Sequence, residues 1–192
     1  MSGLDRPGFS DPVAEAQACF RAVLGAMSNP GRLRACDGGL RPPPPLGVAA
    51  AALLLTLVDA DTPLWLDPAA RAAADWIAFH CGAPLVTEPN DAAFAFTGST
   101  LTLDHFSRGT HEAPETAATV IVQVKALGRG DGYRLSGPGL AAPSLLKVDG
   151  LPRGFARAWS ENRARFPLGV DLILCAGSTL CALPRSVAVE DQ

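Results

Sequence analysis

Side chains that could carry out chemistry occur at scattered points of the chain rather than in one motif. Ser144 and Lys147 have the S-x-x-K spacing of penicillin-recognising enzymes, but the S-D-N and K-T-G motifs that complete such a site are absent, so a chance match is favoured. His80 and Cys81 are neighbours on a predicted helix, where adjacent side chains diverge and make a poor chelate or nucleophile pair. These residues predict no metal site and no self-sufficient catalytic motif.

Phosphate-binding motifs are also absent, since neither a GxxxxGKS/T loop nor a GxGxxG turn between strand and helix occurs. Gly137 and Gly139 follow a predicted strand, and their backbone could approach an anion, although a simple turn is favoured. Four arginines lie on or near one predicted helix and could hold phosphates. A solvated face partly neutralised by Glu161 is favoured for these four, which are Arg153, Arg157, Arg163 and Arg165.

Carboxylates next to turns are the remaining candidates. Asp59 and Asp61 lie where a predicted buried helix leads into a strand, and aspartates there often cap nearby backbone N–H groups. The loop 109–115 could present polar groups to a ligand or partner. Asp171 opens an apolar strand, where a charge must find a partner or reach water. Structural capping is favoured, and the candidate ligand or partner contacts are Asp59, Asp61, Gly109, Thr110, Glu115, Gly137, Gly139 and Asp171.

Composition excludes several classes of protein. The 192 residues are 48% hydrophobic with a formal net charge of −3, which favours a soluble globular protein and argues against nucleic-acid binding. The longest apolar run, residues 46–58, is shorter than a membrane span needs. No apolar leader is recognised at the start, so the five cysteines are expected to be reduced and buried. Only Lys125 and Lys147 could form a Schiff base.

Hydrophobic periodicity places these residues on alternating helices and strands. The spacing predicts helices over residues 12–28, 46–58, 68–80 and 153–165, the first two joined by a short strand at 32–36 and a stiff connector at 41–45. Further strands are expected at 64–66, 94–96, 119–125, 133–136, 171–175 and 180–183, with a hairpin turn at 128–132. We therefore predict an α/β three-layer sandwich with a mixed central sheet. It forms a single domain over 1–192, with an ordered core at 13–187 and flexible ends at 1–10 and 188–192.

Six segments, in this order, resemble one known family. They are FRAVLGAMSNPG at 20–31, LTLVDADTPLWL at 55–66, FHCGAPLV at 79–86, GT at 109–110 with PE at 114–115 and the strand after it, LSGPG at 135–139, and FPLGVDLIL at 166–174 with LPR at 183–185. The chain is similar to the H subunit of the bacterial carbon–phosphorus lyase system for phosphonate use, over roughly residues 13–187. Ala117 stands where the family tends to have glycine, a mild departure near Glu115.

The resemblance implies a cytoplasmic protein with a reduced fold of the pyridoxal-phosphate-dependent transferases, lacking the cofactor site and any cofactor. It implies association with the G, I and J subunits in a core complex, and a homodimer when the chain is isolated. With the L subunit, the system replaces the base of a purine nucleoside triphosphate by a phosphonate, giving a ribose 1-phosphonate 5-triphosphate. An iron–sulfur subunit then breaks the carbon–phosphorus bond, and this chain lacks its CxxxCxxC motif.

The resemblance supplies no catalytic residue for this chain, so its own part in the transferase reaction stays open. Two alternatives to an accessory subunit remain. One is a domain that binds nucleotide or phosphonate by itself. The other is a vestigial pyridoxal-phosphate enzyme, which needs Lys125 or Lys147 in a pocket.

Overall fold

The computed structural model of the chain describes residues 6–98 and 101–192. Its helices are α1 (Pro12–Ser28), α2 (Val48–Leu57), α3 (Ala74–Cys81) and α4 (Phe155–Arg163). Its strands are β1 (Arg34–Ala35), β2 (Leu64–Leu66), β3 (Leu85–Val86), β4 (Phe94–Thr97), β5 (Thr119–Gln123), β6 (Ala126–Ser136), β7 (Ser144–Asp149), β8 (Asp171–Ala176), β9 (Thr179–Leu183) and β10 (Ala188–Asp191). No described helix has the length and apolar character that crossing a membrane requires.

The main sheet has seven strands in the order β1-β9-β8-β5-β4-β2-β3. The strands from β8 to β3 run parallel to one another, β9 runs antiparallel to β8, and β1 pairs antiparallel with β9 at the other edge. The three central residues of β5 are buried, as expected for a strand covered on both faces. The α/β class and the mixed central sheet are therefore confirmed.

Successive residues of the sheet pack into two different cores. On one face, Phe96, Ile121 and Ile173 pack with α1, α2 and α3. On the other face, the neighbouring Val120 and Leu172 pack with α4 and a second, smaller sheet. The main sheet therefore lies between a helical layer and a mixed layer, and the alternation follows from the two-residue period of β-strands.

The smaller sheet corrects the predicted hairpin. Residues 119–125 do not pair with 133–136, because β5 lies between β4 and β8 in the main sheet. The segment 128–132 lies inside β6, where a register shift relative to β7 falls between Gly128 and Tyr133. Gly132 permits this close approach, since a Cβ there would lie 2.9 Å from the Leu146 carbonyl oxygen. The turn of the actual hairpin joins β6 to β7, and β10 pairs with the other edge of β6.

Helix α1 begins as predicted but buries a different face. Asp11 caps it by accepting a hydrogen bond from the Ala14 N–H at 3.0 Å. The predicted apolar stripe is divided: Val23 is buried, whereas Val13, Phe20 and Leu24 are 81%, 46% and 50% exposed. The exposed face of α1, defined by Val13, Phe20 and Leu24, is therefore an uncovered apolar surface.

Three other boundaries differ from the predictions. The helix expected over 68–80 is a 3₁₀ segment, Pro68–Ala73, followed by α3. The expected flexible end at 188–192 is wrong for 188–191, which form β10. Arg6, within the predicted flexible start, contacts α3, because Trp76 Nε1 donates a hydrogen bond to the Arg6 carbonyl at 2.8 Å. Residues 1–5 of the predicted flexible start lie outside the described residues.

Candidate functional site

A buried ion pair between Asp171 and Arg185 lies at the edge of the main sheet where the parallel strands begin. Asp171 is the first residue of β8, and Arg185 follows β9. Arg185 Nη2 lies 2.5 Å from Asp171 Oδ2, Nε lies 3.2 Å from Oδ1, and the Arg185 backbone N–H donates to Oδ1 at 2.7 Å. The side chains are only 13% and 15% exposed. Asp171 thus has the charged partner that its position at the start of an apolar strand requires.

The same guanidinium joins two loops to the sheet. Arg185 Nη1 donates to the Pro114 carbonyl at 2.9 Å and to the Pro167 carbonyl at 3.3 Å. Pro114 directly precedes Glu115, which is exposed. The ion pair therefore positions the segment that presents Glu115 to solvent.

The loop that contains Gly109 and Thr110 is held closed by its own hydrogen bonds. Thr110 Oγ1 accepts from the Ala113 N–H at 3.1 Å, and the Thr110 N–H donates to the Ala113 carbonyl at 3.3 Å. Gly109 has φ +73°, and a Cβ there would lie 2.8 Å from the Pro114 carbonyl oxygen. The structure thus brings Gly109, Thr110, Glu115 and Asp171 into one region, in which the first two residues shape the loop.

Asp59 and Asp61 lie at the same sheet edge but farther along it. They precede β2, and β4 separates β2 from β5. Asp59 Oδ1 accepts from the Thr62 hydroxyl at 2.6 Å and from the Asp61 N–H at 3.0 Å. Both bonds lower the pKa of the Asp59 carboxyl, and the bond from the Thr62 hydroxyl has the larger effect. Asp59 is a turn cap, as favoured from the sequence, and Asp61 is exposed.

Gly137 and Gly139 lie elsewhere, in the turn between β6 and β7. Gly139 has φ +82°, and a Cβ there would lie 2.5 Å from the Ser28 carbonyl oxygen, so this turn packs closely on the end of α1. Beside it is an open cavity of about 350 Å³, which we call the arginine cavity. Within the described part of the chain, the charged residues in its lining are Arg32 and Arg129. The sequence could not place these two arginines together, because 97 positions separate them (129 − 32).

The opposite edge, where the parallel strands end, holds a polar cluster that sequence reasoning missed. Asp67, which is 1% exposed, follows β2. Its Oδ2 accepts from the Thr97 hydroxyl at 3.0 Å and the Gly98 N–H at 2.7 Å, and its Oδ1 accepts from the Ala70 N–H at 2.8 Å. From the sequence, Asp67 followed by Pro68 indicates a helix cap, but neither Thr97 nor Gly98 as a further donor. Ligands of α/β proteins usually bind at this edge of a sheet.

Gln123 extends this cluster at the end of β5. Its Oε1 accepts from the Gly47 N–H at 2.5 Å, and its Nε2 donates to the Pro45 carbonyl at 2.8 Å. A glutamine at the end of a buried β-branched run was the available sequence signal. Because both ends of the amide are bonded to the chain before α2, Gln123 holds that connector against the sheet.

The two lysines do not fit an imine with pyridoxal phosphate. Lys125 follows β5 and Lys147 lies on β7, and both are exposed. A Schiff-base lysine needs a desolvated pocket that holds the cofactor. Ser144 and Lys147 also lie three residues apart on one strand, so their side chains project from opposite faces. This placement agrees with a chance S-x-x-K match.

The four arginines on or next to α4 lie on a solvated surface, as favoured from the sequence; three of them contact neighbouring oxygen atoms, and Arg153 is exposed. Arg157 is 87% exposed and lies 3.2 Å from Glu161. Arg163 Nε donates to the Ser186 carbonyl at 3.1 Å, and Arg165 lies 3.6 Å from Asp104.

His80 and Cys81 diverge on α3. His80 Nε2 lies 3.3 Å from the Arg6 carbonyl oxygen, whereas Cys81 Sγ lies 3.6 Å from that of Leu54. Across residues 6–98 and 101–192, no group of three or more His, Cys, Asp or Glu side chains is arranged to hold a metal ion.

Comparison with known proteins gives consistent matches over nearly the whole chain. Residues 7–190 match the family model described as bacterial phosphonate metabolism protein (PhnH). A protein of Rhizobium meliloti (strain 1021), named alpha-D-ribose 1-methylphosphonate 5-triphosphate synthase subunit PhnH, is 40% identical over 96% of this chain and 94% of its own length. A putative C-P lyase subunit protein of Stutzerimonas stutzeri, HtxG, is 35% identical over 91% of this chain and 85% of its own.

Proposed function

The chain belongs to the PhnH family of bacterial phosphonate metabolism proteins, and from that premise we propose that it is a subunit of a complex that makes α-D-ribose 1-methylphosphonate 5-triphosphate. The observation that carries this proposal is the 40% identity to the named synthase subunit, which extends over 96% of this chain and 94% of the relative. Similarity of this extent includes the whole folded unit rather than one motif. The second relative, named as a C-P lyase subunit, supports the same system.

We propose the G, I and J subunits of the carbon–phosphorus lyase core complex as partners, in the cytoplasm, with self-pairing when the chain is isolated. In the proposed reaction, a phosphonate displaces the base of a purine nucleoside triphosphate. The exposed face of α1 supports an assembled state, because contiguous apolar side chains on a surface often mark a partner interface. We assign that face to another subunit of the complex.

The proposed role is accessory rather than catalytic. The internal bonding of Asp59, Asp67, Gln123 and Asp171 supports this role, since their polar atoms already hold loops against the sheet. Of the acidic residues selected from the sequence, Asp61 and Glu115 are exposed. We propose these two as contacts with partner subunits.

We also propose that residues 1–192 form one domain with a reduced pyridoxal-phosphate-transferase fold and no functional cofactor site. The mixed seven-stranded sheet and the exposed positions of both lysines support this proposal. A single cooperative unfolding transition is expected for one domain. An absorbance scan with added pyridoxal phosphate is expected to show no saturable internal imine band.

Co-expression with the G, I and J subunits tests the main proposal. A tag on the G subunit is expected to recover this chain in one stable complex. With the L subunit, methylphosphonate and a purine nucleoside triphosphate added, ³¹P NMR is expected to show the ribose 1-methylphosphonate product. Assembly and full product formation without this chain would contradict the proposal.

A matched pair of variants tests the exposed face of α1. Phe20→Asp places a charge on the apolar face, and we expect it to reduce recovery with the G subunit at least tenfold. Ala14→Asp places the same charge on an exposed position of the same helix but off that face, and recovery is expected to stay unchanged. Equal recovery of the two variants would remove this face from the interface.

A second candidate function, direct binding of a phosphate-bearing ligand, is favoured by the arginine cavity. Its charged lining is wholly positive in a chain whose net charge is −3, and arginine binds phosphate oxygens in a bidentate geometry. Calorimetric titration with inorganic triphosphate, ATP and methylphosphonate tests this function. Binding that Arg129→Ala abolishes and Arg71→Ala preserves would support it, and no heat at millimolar ligand would exclude it.

A further inference from the structure

Two cysteine side chains face each other beneath α1. Cys19 lies on the buried side of α1, and Cys36 directly follows β1. Cys36 Sγ donates a hydrogen bond to Cys19 Sγ at 2.7 Å, and the residues are only 6% and 4% exposed. Both are free thiols. Seventeen positions separate them along the chain, so only the packing of α1 against β1 brings them together.

Two of the other cysteines, Cys81 and Cys175, face backbone carbonyls rather than a thiol. Cys81 Sγ faces the Leu54 carbonyl, and Cys175 Sγ lies 4.0 Å from the Ile173 carbonyl. Burial raises the pKa of Cys81 to about 11 and that of Cys181 to about 12. These thiols stay protonated and slow to react near neutral pH.

The pair differs because one thiol supports the ionisation of the other. The hydrogen bond from Cys36 lowers the pKa of Cys19, burial acts in the opposite direction, and a smaller contribution from Thr56 lowers the pKa further. The same bond to Cys19, together with burial, raises the pKa of Cys36 far above its usual range. Because the Cys36 thiol donates to Cys19 Sγ, this contact stabilises the ionised form of Cys19, which makes Cys19 the nucleophile of the pair. A thiolate beside a second thiol is the arrangement from which disulfides form.

A cavity connects this pair to solvent. It has a volume of about 240 Å³, and both Cys19 and Cys36 line it. Among the residues that the structure describes, the charged ones in its lining are Glu15 and Asp37, which both carry carboxylates. The cavity therefore admits a small neutral oxidant and disfavours an anionic one such as glutathione disulfide.

We propose that Cys19 and Cys36 form a redox-modifiable dithiol, which a small neutral peroxide closes to an intramolecular disulfide. The Cys19 thiolate attacks one peroxide oxygen, the O–O bond breaks, and hydroxide leaves and takes up a proton. Cys36 then attacks the sulfur of the resulting sulfenic acid and displaces its oxygen as water. In sum, two thiols and one hydrogen peroxide give one disulfide and two waters. The sulfurs need to approach by about 0.7 Å to reach the S–S bond length.

The bond would fix the middle of α1 to the chain directly after the edge strand β1. The enclosed segment includes Asn29 and Arg32, which line the arginine cavity. Edge strand β1 has two residues and pairs only with β9, so the crosslink adds a covalent tie where the sheet has few hydrogen bonds. This modification is independent of the proposed role in phosphonate metabolism.

Intact mass spectrometry of the full-length chain tests the proposal. The reduced protein is treated with one to five equivalents of hydrogen peroxide, denatured, and labelled with N-ethylmaleimide. We expect a loss of 2 Da, three labelled cysteines instead of five, and one peptide that links Cys19 to Cys36. Dithiothreitol is expected to restore five labels. The oxidised chain should melt about 5–10 °C higher than the reduced chain.

Variants separate this pair from the other thiols. Cys36→Ser and Cys19→Ser are each expected to abolish the 2 Da loss, whereas Cys81→Ser retains it. Cys175→Ser is also expected to retain it, which excludes a disulfide to that neighbouring thiol. If one serine variant fails to fold, peptide mapping of the unsubstituted chain still decides. A linkage of any other pair, or overoxidation to sulfinic acid without a crosslink, would overturn the proposal.

Discussion

Removal of the Arg185 side chain is expected to destabilise the fold strongly while leaving the sheet pairing possible. Arg185→Ala removes an ion pair whose two side chains are 13% and 15% exposed, and also removes bonds to the Pro114 and Pro167 carbonyls. Breaking a buried ion pair typically costs about 3–5 kcal/mol. Asp171 keeps the backbone N–H of residue 185 as a donor and has some access to water, so the lower end applies. We expect a loss of about 3 kcal/mol, or about 6–12 °C in Tm.

Urea unfolding followed by circular dichroism measures this loss. Arg134→Ala is the matched control, because Arg134 and Glu190 form an ion pair that is 47% and 59% exposed. Such exposed pairs contribute about 0–1 kcal/mol. In a double-mutant cycle, Arg185→Ala and Asp171→Asn should show a coupling of at least about 1 kcal/mol. A cost of Arg185→Ala no greater than that of Arg134→Ala, or additive effects of Arg185→Ala and Asp171→Asn, would contradict a stabilising ion pair at this site.

Three further predictions concern other sites. Gly139→Ala should lower the free energy of unfolding by about 3 kcal/mol or more, because the added Cβ would lie 2.5 Å from a carbonyl oxygen. Gly154 has a similar φ of +75° but open space around it, so Gly154→Ala should cost only about 1–2 kcal/mol in the same unfolding assay. Asp67→Ala should cost about 2–4 kcal/mol by leaving buried donors unpaired, and a cost below that of an ordinary surface cap would contradict its structural role. At pH 8, Cys81 should react with iodoacetamide about 100-fold more slowly than a free thiol, and the rate should rise toward pH 11, since burial raises the pKa of Cys81 to about 11. Peptide-resolved mass spectrometry measures this rate, and a rate equal to that of a free thiol would show that the thiol is not buried.

Polar groups at both edges of the main sheet serve mainly to hold connecting segments in place. At one edge, Arg185 joins Asp171 to the loop before Glu115. At the other, Gln123 holds the proline-rich connector by bonding Pro45 and Gly47. A subunit that works through its surfaces needs such fixed loops, because a partner recognises a defined arrangement of exposed groups.

Features that depend on a few neighbouring residues could be predicted from the sequence. The caps at Asp11 and Asp67 act within one turn of chain, and the β-branched run of β5 marks a strand wherever it pairs. The six sequence segments that occur in the same order as in the PhnH family also indicated this family, and the comparisons confirm it over residues 7–190.

Contacts between groups far apart in the chain could not be predicted in this way and depend on the fold. The pairing of β5 with β4 and β8 replaced the predicted hairpin, since an apolar strand indicates burial but not its neighbours. Asp171 contacts Arg185, and Cys19 contacts Cys36, because separate elements of the fold pack against each other. Local conformational preferences act over a few residues, whereas these contacts depend on the burial of whole faces. The sequence therefore indicated that Asp171 needed a partner, and the fold supplied Arg185.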